Sequence, residues 1–165
     1  MAVHSLKTVQ FIPVSVAQAW TFFSDPSNLA ELTPAYLDFT VISHHQGRTM
    51  YPGQIIEYTI KPVLGIPVYW MTEITHVRHE EFFVDEQRYG PYSFWHHQHR
   101  FKTVEGGVEM TDIVHYKMPL GFLGGLTNGL FVRRQLEQIF SFRFDRVETV
   151  LGKWPAGQAK TLEFH

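Results

Sequence analysis

The apolar residues follow two different patterns in two regions of the chain. Between about residue 37 and residue 118, apolar and polar residues alternate in short runs separated by turn residues, whereas apolar residues after residue 126 recur at helical spacing. Alternation with a period of two is typical of half-buried strands, and spacings of three and four residues are typical of amphipathic helices. The chain is therefore predicted to form a series of strands followed by one long helix.

Seven strands are predicted in total. The first covers residues 3 to 12, and the others cover residues 39 to 44, 54 to 62, 67 to 77, 81 to 89, 93 to 104 and 107 to 118. Gly106 and Gly107 are expected to form the last hairpin, because glycine takes a positive φ without steric cost. Short connections between neighbouring strands favour an antiparallel meander.

Two short helices are predicted between the first and second strands. Ser15 and Gln18 have the spacing of a capping box, which begins the first of them. Asp25 followed by Pro26 offers an N-cap and a proline in the first turn of the second, which is expected to close at residues 33 and 34.

The long helix is predicted to begin after a Thr127 cap and to end at Leu151, where Gly152 follows. One of its faces carries an apolar stripe of Val132, Leu136, Phe140, Val147 and Leu151. A single core that includes every element requires an α+β fold in which a curved, seven-stranded antiparallel sheet wraps around this C-terminal helix. The domain is expected to span residues 1 to 152, and residues 153 to 165 are expected to form a loose tail.

Composition narrows the function classes. The formal net charge is −2 with histidine neutral, so we expect no nucleic-acid partner. The chain has no cysteine, which excludes disulfides, thiolate nucleophiles and sulfur-ligated zinc. Aromatic residues make up 15% of the chain, and large, stiff side chains suit the walls of an apolar cavity as well as a bulky core.

The chain is expected to be cytoplasmic and without a transmembrane segment. Its first residues lack the pattern of a signal peptide. No apolar run approaches the roughly 18 residues that a membrane span needs.

Seven short stretches of the chain form a recognisable set, which is residues 11–13 (FIP), 19–29 (AWTFFSDPSNL), 83–87 (FVDEQ), 90–92 (GPY), 95–101 (WHHQHRF), 111–116 (TDIVHY) and 119–121 (PLG). Together they resemble the START-like (SRPBCC) superfamily, which includes coenzyme Q-binding proteins and polyketide cyclase/dehydrases. The resemblance covers about residues 4 to 151, and the local match is to a mostly uncharacterised ligand-binding branch. It implies a helix-grip fold that encloses a hydrophobic cavity, but it implies no particular reaction.

Strand alternation predicts polar residues on the inner face of the sheet. Asp112 shares a face with Val108, Met110, Val114 and Tyr116, and the neighbouring strand turns Trp95, His97, His99 and Phe101 inward. By the same alternation, Phe83, Asp85, Gln87 and Tyr89 are expected to face inward, although the alternate residues Val84, Glu86 and Arg88 leave the faces of this strand ambiguous. A carboxylate and an imidazole are thus expected to meet across the strands.

Three hypotheses for His97, His99, Asp112 and Asp85 stay open at this point. The four side chains could form a structural network that fixes the strand register. They could orient the polar head of an apolar ligand. They could also carry chemistry, as a His-Asp general base or as a metal site built on the His-x-His pair and a carboxylate. Three arginines, Arg133, Arg134 and Arg143, fall near the buried edge of the long helix. An arginine there could neutralise an acidic ligand or pair with the buried aspartate, or it could be solvated with its stem packed.

The sequence thus predicts a protein that binds a small hydrophobic or amphipathic ligand, such as a lipid, an isoprenoid quinone or a polyketide-like molecule. The alternative is a cofactor-independent cyclase or dehydrase with His97, His99 and Asp112 as catalytic candidates. No cofactor and no resident metal are expected, and no protein partner is specified. The predicted ligand-binding residues are Trp70, Phe83, Asp85, Gln87, Trp95, His97, His99, Asp112, Tyr116, Leu136 and Phe140.

Overall fold

A computed structural model describes residues 3–43, 49–63, 65–119, 125–155, 157 and 159–165 of the chain. The elements in chain order are β1 His4–Ile12, α1 Val16–Phe23, β2 Thr40–Val41, β3 Gln54–Val63, β4 Ile66–Arg78, β5 Phe82–Tyr89, β6 Phe94–Val104, β7 Gly107–Lys117, α2 Gly125–Leu151 and β8 Lys160–Phe164. Two short 3₁₀ helices, Pro26–Leu29 and Ala35–Leu37, lie between α1 and β2.

The strands form one antiparallel sheet in the order β2-β3-β4-β5-β6-β7-β1-β8. Strands β2 to β7 follow one another as a meander, and β1 returns to pair with β7. The buried stripe of α2 packs on the sheet, where Val132, Leu136 and Phe140 meet Leu6 and Val114. The predicted α+β helix-grip fold is therefore confirmed.

The sheet has eight strands among the described residues, one more than predicted. The additional strand β8 lies within residues 153 to 165, so the prediction of a loose tail is wrong. It pairs with β1 from Leu6 opposite Phe164 to Gln10 opposite Lys160. This pairing covers the backbone edge that β1 would otherwise leave open.

The helical predictions are correct for α1 and only approximate elsewhere. The capping box of Ser15 and Gln18 is present at the start of α1. Asp25 accepts a hydrogen bond from the backbone of Ser27, but the helix it caps is a 3₁₀ helix that ends at Leu29 rather than at residue 33. Helix α2 begins at Gly125, two residues before the predicted Thr127 cap. The predicted strand at residues 39 to 44 is reduced to β2, and residue 44 lies outside the described residues.

The inner face of the sheet follows the predicted alternation closely in β6 and β7. Every second residue of β7 from Val108 to Tyr116 is buried, and so are His97, His99 and Phe101 of β6. Their neighbours along each strand point to the opposite face, as the pleat requires. This arrangement brings polar side chains of adjacent strands under α2.

Candidate functional site

A cavity of about 590 Å³ lies between the sheet and α2. Its sheet wall includes Tyr58, Trp70, Phe83 and Trp95, and α2 contributes an apolar wall of Val132, Leu136, Ile139 and Phe140. The volume falls within the range of about 300 to 1,000 Å³ that is usual for pockets of small organic ligands. The aromatic walls are stiff, and they offer flat surfaces on which a ring can stack.

The cavity also has ionisable residues in its lining, which are Asp85, His97, His99 and Arg143. Strand pairing places Asp85 opposite His97 and His99 opposite Asp112, so one carboxylate lies on each side of the two histidines. Arg143 approaches from α2. We call Asp85, His97, His99, Asp112 and Arg143 the inner polar cluster.

Short contacts join the histidines to both carboxylates. His97 Nε2 and His99 Nδ1 each lie 2.9 Å from Asp112 Oδ1. His99 Nε2 lies 2.8 Å from Asp85 Oδ2, and His97 Nδ1 lies 3.5 Å from the same oxygen. Thr8 donates a hydrogen bond of 3.4 Å to Asp112 Oδ2 from the neighbouring strand.

The environment of Asp112 favours the ionised carboxylate. Burial alone would raise its pKa, but the positive charge of Arg143 and hydrogen bonds from both histidines outweigh burial, so the pKa of Asp112 lies well below its usual value. Asp85 behaves in the same way: burial raises its pKa, and the charge interaction with His97 and hydrogen bonds from His99 and Trp95 lower it overall. Both aspartates are therefore anionic near neutral pH.

The two histidines are shifted in opposite directions. Burial and the nearby charge of His99 lower the pKa of His97. Burial also acts against a charged His99, but its hydrogen bonds to Asp112 and Asp85 together prevail and raise the pKa of His99. The surroundings therefore favour the cationic form of His99, which contacts both carboxylates, and the neutral form of His97 beside it.

Two donors near the cavity lack a hydrogen-bond partner among the described residues. One is the indole Nε1 of Trp70, and the other is Nε of Arg143. Both residues line the cavity. An unpaired buried donor carries a desolvation penalty, which a ligand oxygen within reach would relieve.

Most of the predicted ligand-binding residues line the cavity. They are Trp70, Phe83, Asp85, Trp95, His97, His99, Leu136 and Phe140. Three predicted residues are placed elsewhere. Asp112 lies behind the histidines as their acceptor, Tyr116 packs in the core beside Tyr92, and the Gln87 side chain donates to the carbonyl oxygen of Tyr92 at 2.7 Å.

The prediction that Tyr89 faces inward is wrong. Its side chain is 61% exposed, and its ring meets Tyr69 on the outer face of the sheet. The register between β4 and β5 shifts between Met71 and Thr72, and this irregularity reverses the alternation beyond Gln87. Alternation counted along one strand cannot reveal such a shift.

The sequence reasoning missed several residues of the wall. Tyr58 and Thr72, on β3 and β4, line the cavity, and so do Tyr92 and Ile139. The signal was available for Tyr58, because it shares the alternating face of Ile56 and Ile60. For Tyr92 the decisive contact is with Gln87, whose side chain holds the turn after β5.

Six other histidines, at positions 44, 45, 76, 79, 115 and 165, lie at predicted turns, on the predicted outer face or in the predicted tail, and this placement predicts that they are solvated. His76, His79 and His165 are exposed, and His115 is half-buried on the outer face of β7. His44 and His45 lie outside the described residues.

An antiparallel sheet that grips a long C-terminal helix over an apolar cavity defines the START-like (SRPBCC) class of proteins. The family model described as "Polyketide cyclase / dehydrase and lipid transport" matches residues 3–152. The chain belongs to this family, whose members are associated with hydrophobic-ligand binding or polyketide cyclisation.

Solved structures with the same fold share little sequence with the chain. The Zhui aromatase/cyclase from a Streptomyces species is 11% identical, with a TM-score of 0.70 over 88% of this chain and 92% of that one. A protein from Chromobacterium violaceum is 11% identical, with a TM-score of 0.69 over 91% and 99%. A START superfamily protein from Mycobacterium smegmatis is 11% identical, with a TM-score of 0.62 over 89% and 99%.

No curated protein sequence is significantly similar to the chain. Within the described part of the chain, neither helix is long and apolar enough to cross a bilayer.

Proposed function

We propose that the protein binds an amphipathic small molecule, with the apolar body between the aromatic walls and a polar head at the inner polar cluster. The observation that carries this proposal is the position of Asp85, His97, His99 and Arg143 in the lining of an otherwise mainly apolar cavity. A few polar groups in an apolar pocket commonly fix the orientation of a ligand.

In metal-free protein, the charges of the inner polar cluster favour a ligand whose polar head is uncharged. The two carboxylates, Asp85 and Asp112, face the guanidinium of Arg143 and the imidazole of His99, whose surroundings favour its charged form, so negative and positive groups balance within the cluster. A carbonyl or hydroxyl oxygen can accept from Trp70 Nε1 or Arg143 Nε without disturbing this balance. Flat aromatic walls favour a polycyclic or quinone ring system over a flexible acyl chain, because rings stack at little entropic cost.

A thermal-shift panel tests the proposal with EDTA-treated protein. The probes are a hydroxyanthraquinone, a short-chain isoprenoid quinone and oleic acid. A ligand that prefers the folded state raises the melting temperature in proportion to its affinity and concentration. We expect a saturable rise with at least one ring-containing probe and a smaller one with oleic acid.

Two neighbouring substitutions on α2 provide a matched pair for this panel. Ile139 lines the cavity, and Gln138 beside it is exposed. Ile139→Trp is expected to fill cavity volume and remove the ligand-induced shift, whereas Gln138→Trp leaves it unchanged. Equal shifts in both variants, or no saturable shift with any probe, contradict the proposal.

A cofactor-independent cyclase or dehydrase is the second candidate, and the state of His97 favours it. A neutral imidazole in the lining of the cavity, held by Asp112, is suited to remove a proton next to a carbonyl group. Incubation with a poly-β-ketone thioester, followed by mass spectrometry, would then show loss of water. His97→Gln is expected to lower this turnover at least 100-fold while the thermal shifts with the ring probes persist, and turnover that survives the substitution rules out this role.

A further inference from the structure

The side of Asp112 that faces the histidines sets the protonation of both rings. Its Oδ1 atom lies 2.9 Å from His97 Nε2 and 2.9 Å from His99 Nδ1. An ionised carboxylate only accepts hydrogen bonds, so His97 Nε2 donates to Asp112 and His99 Nδ1 is placed to do so as well. The remaining ring nitrogens, His97 Nδ1 and His99 Nε2, are left to face the other carboxylate.

These two nitrogens converge on Asp85. Its Oδ2 atom lies 2.8 Å from His99 Nε2 and 3.5 Å from His97 Nδ1. Asp85, His97 and His99 each offer one possible ligand atom, and these three atoms lie within 4.8 Å of one another. A tetrahedral ion with metal–nitrogen bonds of about 2.0 to 2.1 Å spaces its ligand atoms about 3.3 Å apart, close to the distances that Asp85 makes.

His97 Nδ1 also presents an electrostatic problem that a cation resolves. With the hydrogen of the neutral ring on Nε2, the lone pair of Nδ1 faces a carboxylate oxygen at 3.5 Å with no hydrogen between them. Two negative lone-pair regions in a buried site repel each other unless a proton or a metal ion lies between them.

We propose that Asp85, His97 and His99 bind a divalent first-row transition-metal ion, with Asp112 as a positioning residue. Two imidazole nitrogens and one carboxylate oxygen suit Zn²⁺ or Fe²⁺, whereas Ca²⁺ and Mg²⁺ prefer all-oxygen sites. This proposal departs from the expectation from the sequence that no resident metal binds.

The surroundings of the three ligands match those of known metal centres. A metal-bound histidine almost always donates its second ring hydrogen to a carboxylate or carbonyl oxygen, which fixes the orientation of the ring. Asp112 performs this role for both histidines at once. Thr8 and Arg143 in turn contact Asp112 and hold it in place.

Metal binding changes the charge at this part of the cavity. The ion carries a charge of +2 and displaces at most the one hydrogen between His99 Nε2 and Asp85 Oδ2, so the net charge of the cluster rises by at least one. The three ligands line the cavity, so the coordination positions they do not fill are available to a bound molecule. The metal-loaded protein should therefore prefer a ligand head with an anionic oxygen, such as an enolate or a phenolate.

Isothermal titration calorimetry of untagged, EDTA-treated protein with Zn²⁺ tests the site. We expect one ion per chain for the wild-type protein. His97→Ala, His99→Ala and Asp85→Asn each remove a ligand and are expected to weaken binding at least 100-fold. Asp112→Asn keeps all three ligands, and loss of such an outer carboxylate typically weakens binding by about 10- to 100-fold.

His96→Ala is the matched control for these variants. His96 lies on the same strand between the two proposed ligands, on the outer face, where its ring is 6.0 Å from that of His115. The control is expected to bind Zn²⁺ as the wild type does. Absence of stoichiometric binding in the wild type, or a loss in His96→Ala equal to that in His97→Ala, overturns the proposal.

A spectroscopic readout on the wild-type protein covers the case in which a ligand variant fails to fold. Co²⁺ in a four- or five-coordinate nitrogen and oxygen site has intense visible d–d bands, whereas a hydrated surface ion has weak octahedral bands. The proposal requires the intense bands, and weak bands contradict it. Because the organic probes are tested on metal-free protein, failure of metal binding and failure of ligand binding are distinguished.

Discussion

Asp112 organises the inner polar cluster because its carboxylate contacts the two histidines, Thr8 and Arg143. A buried carboxylate with so many donors has a strongly lowered pKa, so it persists as an anion where burial alone would neutralise it. The Asp112 anion in turn helps to keep the pKa of His99 raised, while burial lowers the pKa of His97 next to it.

The two buried histidines are therefore expected to titrate separately in metal-free protein. The lowered pKa places His97 below about 6.5, and the raised pKa places His99 above it. Stability from the charged His99 is fully present below its unfolded pKa and is lost as the pH rises through its folded pKa. Stability from the neutral His97 is present above its unfolded pKa and is lost as the pH falls through its folded pKa.

Long-range ¹H–¹⁵N NMR of the imidazole rings, recorded across the pH range in the presence of EDTA, measures both titrations. Two midpoints on opposite sides of about 6.5 are expected. A common midpoint, or the reverse order, would contradict the assignment of charge to His99.

Strand β8 extends the sheet beyond β1, and its side chains seal the core near the start of α2. Leu162 and Phe164 pack against the buried cluster that includes Val132 and Leu136. The Phe164 ring also lies under the guanidinium of Arg133, which is 4.6 Å from the ring centroid. The segment therefore connects the last residues of the chain to both β1 and α2.

Phe164→Ala is expected to lower the free energy of unfolding by about 1 to 3 kcal/mol, because it removes a half-buried ring from this cluster. The adjacent exposed Glu163 gives a matched control, and Glu163→Ala is expected to change stability by less than about 0.5 kcal/mol. Chemical denaturation followed by circular dichroism measures both variants. Equal effects would show that β8 contributes only its backbone pairing.

The whole molecule is held together across the cavity by contacts between α2 and the sheet. Apolar residues of α2 provide the wall, and Arg143 reaches Asp112 with its Nη2 atom 3.6 Å from Oδ1. The two groups are nearly buried, with side-chain exposures of 12% and 6%. An ion pair with so little water around it is screened far less than one on the surface.

A double-mutant cycle is expected to show this coupling. Arg143→Met leaves Asp112 without its guanidinium partner, and we expect it to destabilise the protein more in the wild-type background than in Asp112→Asn. The difference, measured by urea denaturation, should be about 1 to 3 kcal/mol. Arg134→Met, at an exposed position of the same helix, is the control. Additive effects of the two substitutions would show that helix and sheet are not coupled through this pair.

The sequence alone determined the fold class, the capping box of α1 and the inward direction of His97, His99 and Asp112. These features follow from local rules, because the pleat alternates strictly and the capping pattern lies within four residues. The apolar stripe of α2 likewise identified Val132, Leu136 and Phe140 as residues facing the sheet.

Only the tertiary structure decided how these inward-facing residues are combined. The register shift that turns Tyr89 outward depends on two strands at once, and the pairing of β8 with β1 joins residues that are 150 or more positions apart. The convergence of His97 and His99 on Asp85, with Asp112 behind them, depends on the relative position of three strands. Alternation fixes the direction of a side chain along its own strand, whereas the distance between two side chains is fixed by packing between strands, which no single segment contains.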